Sequence, residues 1–285
     1  MSVVTATARK SSRPGVGQRI RFAIGDGVIV AERNLVSMMR VPTVLVFELV
    51  QPVMFTLLFR YVFGGAIAKL PSGIDYVLFL MPGIFAQNAI FGATTTAIGI
   101  ADDMKKGMVD RFRSLPMSRS AMLIGRTTAD LGKNFLVVSL MIGVGYLVGF
   151  SFQEGLLKAI GVVVLVLAVG FAFSWVSATV GLAIKETEAV QAAIFTFIFP
   201  VVFMSTVFVP LATMPGWLQV IARNNPISQW ATLARILTFG EYAGVAPGDP
   251  GSGSLAHAAF VSAIWIVALL VIFVPLSVRL YKKLT

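Results

Sequence analysis

Six apolar stretches, at about residues 43–63, 76–100, 130–150, 157–184, 189–209 and 256–280, dominate this chain. Each approaches the roughly 20 residues that a helix needs to cross the hydrocarbon of a bilayer. Backbone N–H and C=O groups in hydrocarbon must be paired within the segment, which confines such stretches to α-helices. The expected fold is an all-α membrane protein with six transmembrane helices. Composition agrees: 57% of the residues are hydrophobic and 13% are charged, about half the charged share of a soluble domain.

The segments between the apolar stretches set the orientation. Residues 101–120, ADDMKKGMVDRFRSLPMSRS, are too charged to lie in hydrocarbon. Their basic excess assigns them to the cytoplasmic face. Of the 23 Lys and Arg, all but Arg60, Lys69, Lys158, Arg223 and Arg235 fall in segments assigned to that side: before Pro42, in residues 101–134, at Lys185 and at the C-terminal end. This asymmetry describes a multi-pass protein of the plasma membrane with both termini cytoplasmic. It also accounts for the net charge of +10 by contact with anionic lipid headgroups. No nucleic-acid recognition motif accompanies the charge, so no nucleic-acid partner is expected.

Residues 1–17 are rich in Ser, Thr and Arg and read as a disordered cytoplasmic tail. Over residues 18–41, Ile20, Ile24, Val28, Leu35 and Met39 recur near helical spacing among charged residues, which predicts an amphipathic interfacial helix. No apolar core followed by a cleavage site stands near residue 30, so no signal peptide is expected. The transmembrane domain then occupies 43–285. Between the fifth and sixth stretches, two apolar pieces at 211–221 and 227–239 are each too short to span. They flank the turn sequence Asn224-Asn225-Pro226. The pair reads as an outer re-entrant helical hairpin turning at Asn225 and Pro226, with two surface helices as the alternative.

Catalytic motifs are absent from the sequence. Gly132-Lys133 is followed by Asn134, with no glycine five positions earlier, so no phosphate-binding loop is formed. There are no cysteines and a single histidine, His257, which leaves neither a metal site nor a hydrolase triad to build. Polar residues inside the stretches are more informative. Glu48 and Gln51 are three apart and share a helix face; Gln87 and Asn88 lie mid-depth in the second stretch. They serve either as interhelical hydrogen-bond partners or as substrate contacts and gating groups. Arg60 lies near the outer end of its stretch and is expected to snorkel to the headgroups.

The loop at 101–120 carries a further pattern. Asp102 and Asp103 stand at an expected helix start, where carboxylates favour the N-terminal dipole. Met104, Met108, Phe112 and Leu115 follow at helical spacing and form one apolar face. Lys105, Lys106, Asp110, Arg111 and Arg113 supply the polar side, and Pro116 ends the helix. Such a helix either rests on lipid or plugs into a partner.

Four stretches resemble the membrane subunits of ABC-2-type exporters, in particular the DrrB-like daunorubicin-resistance branch: VQPVMFTLLFRYVFGGAI at 50–67, residues 81–131, FVPLATMPGWLQ at 208–219 and NPISQW at 225–230. The resemblance covers most of the chain in order. It implies that two permease subunits pair, as copies or paralogues, and that each docks on a separate cytoplasmic ABC ATPase. ATP and Mg are then held by those partner subunits, and no cofactor belongs to this chain. It implies that the segment around 102–117 is a coupling helix, with Asp102, Asp103, Met104, Met108, Asp110, Arg111, Phe112, Arg113, Leu115 and Pro116 at the contact. It also implies outer re-entrant helices between the fifth and sixth spans, and assigns no role to Glu48.

The expected function is a permease without its own ATPase that moves a lipophilic drug or cell-envelope lipid outward, with membrane lipids around it. Two other classes are weaker. An ATPase-independent secondary transporter or channel would need ion-coupling carboxylates within the spans, and Glu48 is the candidate. An intramembrane enzyme would need clustered nucleophile, base or metal ligands.

Overall fold

The computed structural model describes residues 42–63, 75–107, 121–240 and 254–284. Among the described residues every regular element is helical. We number them α1 (Pro42–Leu58, continued by a π-helical turn Phe59–Phe63), α2 (Tyr76–Lys105), α3 (Ala121–Val148), α4 (Gly155–Ile184), α5 (Thr187–Phe203), α6 (Gly216–Asn224), α7 (Pro226–Phe239) and α8 (Leu255–Leu284). Four of these, α2, α3, α4 and α8, are long and apolar enough to cross a membrane. Helices α1 and α5 are apolar but have 17 residues each. The tail at 1–17, the amphipathic helix expected at 18–41 and the loop residues 108–120 lie outside the described residues.

Two boundaries differ from the sequence expectation. Helix α3 begins at Ala121 rather than near residue 130. Its first turns are polar, yet they stay helical because Arg126, Asp130 and Lys133 find partners on α2. Helix α5 ends at Phe203 rather than near residue 209. Pro200 removes one ladder donor inside it, and the following segment is drawn away by bonds to α7 and α2.

Helix α2 is the centre of the bundle and is buried along most of its length. Helix α4 runs beside it in the same direction. A Cβ on Gly181 would lie 2.6 Å from the Ala97 carbonyl oxygen, and one on Gly170 would lie 3.6 Å from Ala89 Cβ. Close packing of small residues is how helices gain contact in lipid, where burial of apolar surface gives little drive. Helices α1, α3 and α5 run antiparallel to α2. Tyr281 near the end of α8 joins Ile100, Leu123 and Leu182 in a cluster at the end of the bundle where α2 and α4 finish. That end carries Lys105, Lys185, Lys282 and Lys283 and is called the basic end below. Helix α8 leaves Phe260, Ile264, Val267 and Val271 exposed, as a helix facing lipid or another membrane subunit would.

Helix α7 is interior. Trp230 meets the Phe173 ring edge-on at 5.8 Å and donates to Ser262 O. Asn225 caps α7 by accepting from Ile227 N at 2.9 Å, and Pro226 occupies the first turn, where a missing N–H costs nothing. The burial of α7 removes the reading of two surface helices for this region. Helix α6, by contrast, exposes Trp217, Val220 and Ile221.

Candidate functional site

The polar residues of α3 recur at Arg126, Asp130 and Lys133, four and three apart, and so form one stripe. The stripe faces α2. Arg126 Nη1 donates to Asp103 Oδ2 at 2.7 Å. Gly99 makes room for that guanidinium on the surface of α2. One helical turn further in, Thr96 donates to the Asp130 carboxylate. Next comes Lys133, which is only 1% exposed. Its ammonium donates to Gly92 O at 2.8 Å, Thr95 Oγ1 at 2.5 Å and Glu48 Oε1 at 3.0 Å. An ammonium has three protons, and all three are used. A buried charge is tolerated only when paired and hydrogen-bonded, and this one is both.

Beside Lys133, the Asn134 side chain lies between two helices through a pair of glycines. A Cβ at Gly92 would come within 2.6 Å of its Oδ1, and a Cβ at Gly170 within 2.6 Å of its Nδ2. Asn134 thereby reaches a cavity of about 590 Å³, within the size range of small-molecule sites. Glu48 and Gln51 from α1, Asn88 and Phe91 from α2, Asn134 from α3, and Gln191 and Phe195 from α5 line it. The lining mixes carboxamides, one carboxylate and two aromatic rings.

From the cavity a run of rings leads toward the opposite end of the bundle. Phe91 and Phe195 are 6.3 Å apart between centroids, Phe195 and Phe199 5.4 Å, Phe199 and Phe203 5.8 Å, and Phe203 and Phe208 5.2 Å. The α5 members are spaced by four, which stacks them on one face. At that end a second buried cation, Arg235, holds the segment after α5. Its Nε donates to Phe79 O at 3.0 Å, and Nη2 to Thr206 O and Val207 O at 2.6 and 3.1 Å. Its guanidinium lies 3.6 Å over the Phe79 ring.

Of the residues the sequence singled out, Glu48, Gln51 and Asn88 come together at the cavity. Gln87 is buried away from it, with no hydrogen-bond partner for its Oε1. Asp102, Asp103 and Met104 occupy the last turns of α2 and not the start of a separate helix. The helix continues through them because Asp103 pairs with Arg126 and Asp102 with Lys106, at 2.7 Å in both cases. It ends at Lys105, and Gly107 two residues on turns the chain away with a φ of 66° that favours glycine. The bond to Asp102 holds the Lys106 proton more firmly and raises its pKa above the ordinary lysine value. Met108, Asp110, Arg111, Phe112, Arg113, Leu115 and Pro116 lie outside the described residues.

Sequence reasoning counted Lys133 among the cytoplasmic basic residues; it is instead buried behind the cavity, bonded to the lining residues Glu48, Gly92 and Thr95. Asp130, Lys133 and Asn134 were missed as site residues. The signal was present: Arg126, Asp130, Lys133 and Asn134 share a face of a helix that is otherwise apolar. Arg60, expected to snorkel outward, turns toward the corner at Gly149, where its Nη1 has no hydrogen-bond partner.

Comparison with known proteins fits this arrangement of apolar helices and buried polar groups. The chain is 32% identical over 251 residues, covering 88% of it and 84% of the relative, to the daunorubicin resistance ABC transporter permease protein DrrB1 of Streptomyces coeruleorubidus. It is 26% identical over 215 residues, 75% of the chain and 77% of the relative, to the probable doxorubicin resistance ABC transporter permease protein DrrC of Mycobacterium tuberculosis. It is 25% identical over 214 residues, 73% of the chain and 72% of the relative, to the putative transport permease ycf38 of Cyanophora paradoxa. Residues 27–239 match the family described as ABC-2 type transporter, and the chain belongs to that family of ABC transporter permeases.

Proposed function

We propose that this chain is the membrane-spanning subunit of an ATP-driven exporter for a lipophilic drug or a cell-envelope lipid. In this reading α1 to α5 and α8 form six spans, α6 and α7 form a re-entrant hairpin on the outer side, and the basic end faces the cytoplasm. Two such subunits, as copies or paralogues, dock on two cytoplasmic ATPase subunits through the loop that joins α2 to α3. ATP and Mg belong to those partners.

The observation that carries the reading is the cavity. It offers amides and a carboxylate to a polar group and two rings to an apolar body, the combination an amphiphilic cargo requires. Two of the similar permeases are named for resistance to daunorubicin and doxorubicin. ATP drives such a cycle only by binding one arrangement of the complex better than the other. The loop apolar residues Met108, Phe112 and Leu115 supply the docking face, with Arg111 and Arg113 at its rim.

The test is co-purification with ABC ATPase subunits of the same cell, followed by ATP turnover in lipid nanodiscs. A stable complex of two plus two, whose turnover rises with cargo, is expected. Phe112→Asp keeps membrane insertion and abolishes the stimulated turnover. Stimulation of that variant to the wild-type level overturns the docking assignment.

A further inference from the structure

Helix α1 is held differently at its two ends. Toward the opposite end, Phe55 and Phe59 pack against Phe208 at 5.7 and 4.5 Å, and Thr56 contacts Met81 Sδ. Toward the basic end, Val46 and Val50 are exposed and Glu48 binds Lys133. Pro52 lies between these two attachments, inside the helix. Proline has no N–H, so the carbonyl four residues earlier, that of Glu48, loses its intrahelical partner and the helix is weakened there. The two α1 residues that line the cavity, Glu48 and Gln51, both precede Pro52.

The partner of Glu48 belongs to a stiff unit. Along the α2–α3 contact, Asp103–Arg126, Thr96–Asp130 and the bonds of Lys133 to Gly92 and Thr95 follow one another at every turn from the basic end to mid-depth. Helices α2 and α3 are also the two joined by the loop at 106–120. A displacement of that loop therefore moves a hairpin held by three successive polar bridges, the inner two built on the buried Asp130 and Lys133, which cost much to break.

We infer that the first half of α1 is a lever that swings about Pro52, and that Lys133 is the positioning residue that ties this lever to the α2–α3 hairpin. Motion imposed on the loop then reaches the cavity wall as a change in where Glu48 and Gln51 stand. This rests on the permease reading, because it needs a partner that moves the loop. It makes Lys133 a transmitter and not a cargo contact, since its three protons are already engaged.

The experiment uses the assembled complex in nanodiscs and compares cargo moved per ATP hydrolysed. The neutral pair Glu48→Leu with Lys133→Met removes the tie without stranding a charge. It is expected to retain the ATPase subunits while cargo moved per ATP hydrolysed falls about tenfold, within the range of coupling between sites. The chain has no cysteine of its own, so Glu48→Cys with Lys133→Cys gives one thiol pair per subunit. That variant is expected to be uncoupled, and a short bifunctional thiol reagent restores coupling by replacing the ionic tie with a covalent one. Thr95→Val, which removes one acceptor of Lys133 together with the hydroxyl's own bond to Gly92 O, lowers the ratio about twofold and serves should the double variants fail to assemble.

Wild-type coupling in the neutral pair or in Thr95→Val overturns the inference. So does a parallel loss of turnover and transport, which marks a structural role, or a cross-linked pair that hydrolyses ATP without transport, which marks a contact that must open. A wild-type chain that retains no ATPase under mild detergent fails the permease reading itself, separately from these outcomes.

Discussion

Arg235 and Lys133 are both 1% exposed, yet they hold the molecule in different ways. Arg235 grips peptide carbonyls on α2 and on the segment after α5 and lies flat on the Phe79 ring. A planar fork with several fixed donors suits a junction that stays closed. Lys133 is a compact ammonium whose partners include a side chain, Glu48, on a helix weakened by Pro52. One end of the bundle is thus clamped through its backbone, and the cavity wall is tethered through a side chain. The lesson is that a buried charge in a membrane bundle has to be judged by what its partners can do, since burial alone does not separate a rivet from a linkage.

The sharpest way to break this contrast is Arg235→Leu. It strands buried carbonyls that a charged donor now satisfies, and the expected loss is about 3 kcal/mol or more. Thermal unfolding of the purified subunit should show it regardless of cargo or nucleotide. A stable Arg235→Leu protein with altered transport alone would place Arg235 with Lys133 instead.

Gly83→Ala probes the same clamp more gently. Its Cβ would lie 2.8 Å from the Val207 carbonyl oxygen, and overpacking of this kind costs roughly 1–3 kcal/mol. The melting temperature should fall while cargo moved per ATP stays at the wild-type value. Gln51→Ala is the converse case. It takes a carboxamide out of the cavity lining and is expected to leave stability within about 0.5 kcal/mol. The cargo concentration for half-maximal ATPase stimulation should rise several-fold, and an unchanged value would remove Gln51 from the cargo contact. The smallest effect is expected for Trp217→Ala on the exposed side of α6, where both unfolding and coupling should stay at wild-type values to within about 0.5 kcal/mol.

Much of the architecture was legible because hydrocarbon permits so few backbone solutions. The apolar lengths of α2, α4 and α8 and the turn at Asn225-Pro226 follow directly from the residues. The site was legible in part. Glu48, Gln51 and Asn88 stood out as polar residues in apolar stretches, and they meet at the cavity. Lys133 did not stand out, because a count of basic residues treats every lysine as solvated. Its burial depends on Gly92, Thr95 and Glu48, which are distant in sequence and become neighbours only when α1, α2 and α3 pack together. The early end of α5 was hidden for a similar reason. Val202 to Val209 is mostly apolar and reads as more span, and it is turned aside by bonds with Arg235 and Ser228 on α7 and Tyr76 on α2.

The manner in which the segment after α5 is held has a consequence for how such a protein changes over generations. Arg235 binds the carbonyls of Thr206 and Val207, Tyr76 donates to the carbonyl of Phe208, and the N–H of Thr206 donates to Ser228. All four bonds recognise peptide groups, which every amino acid carries. These bonds therefore survive substitution at any of the three positions, although Thr206, Val207 and Phe208 are buried and a replacement side chain must fit the same space. A replacement of similar volume leaves the anchor intact, provided that Gly83 remains small enough to receive the turn.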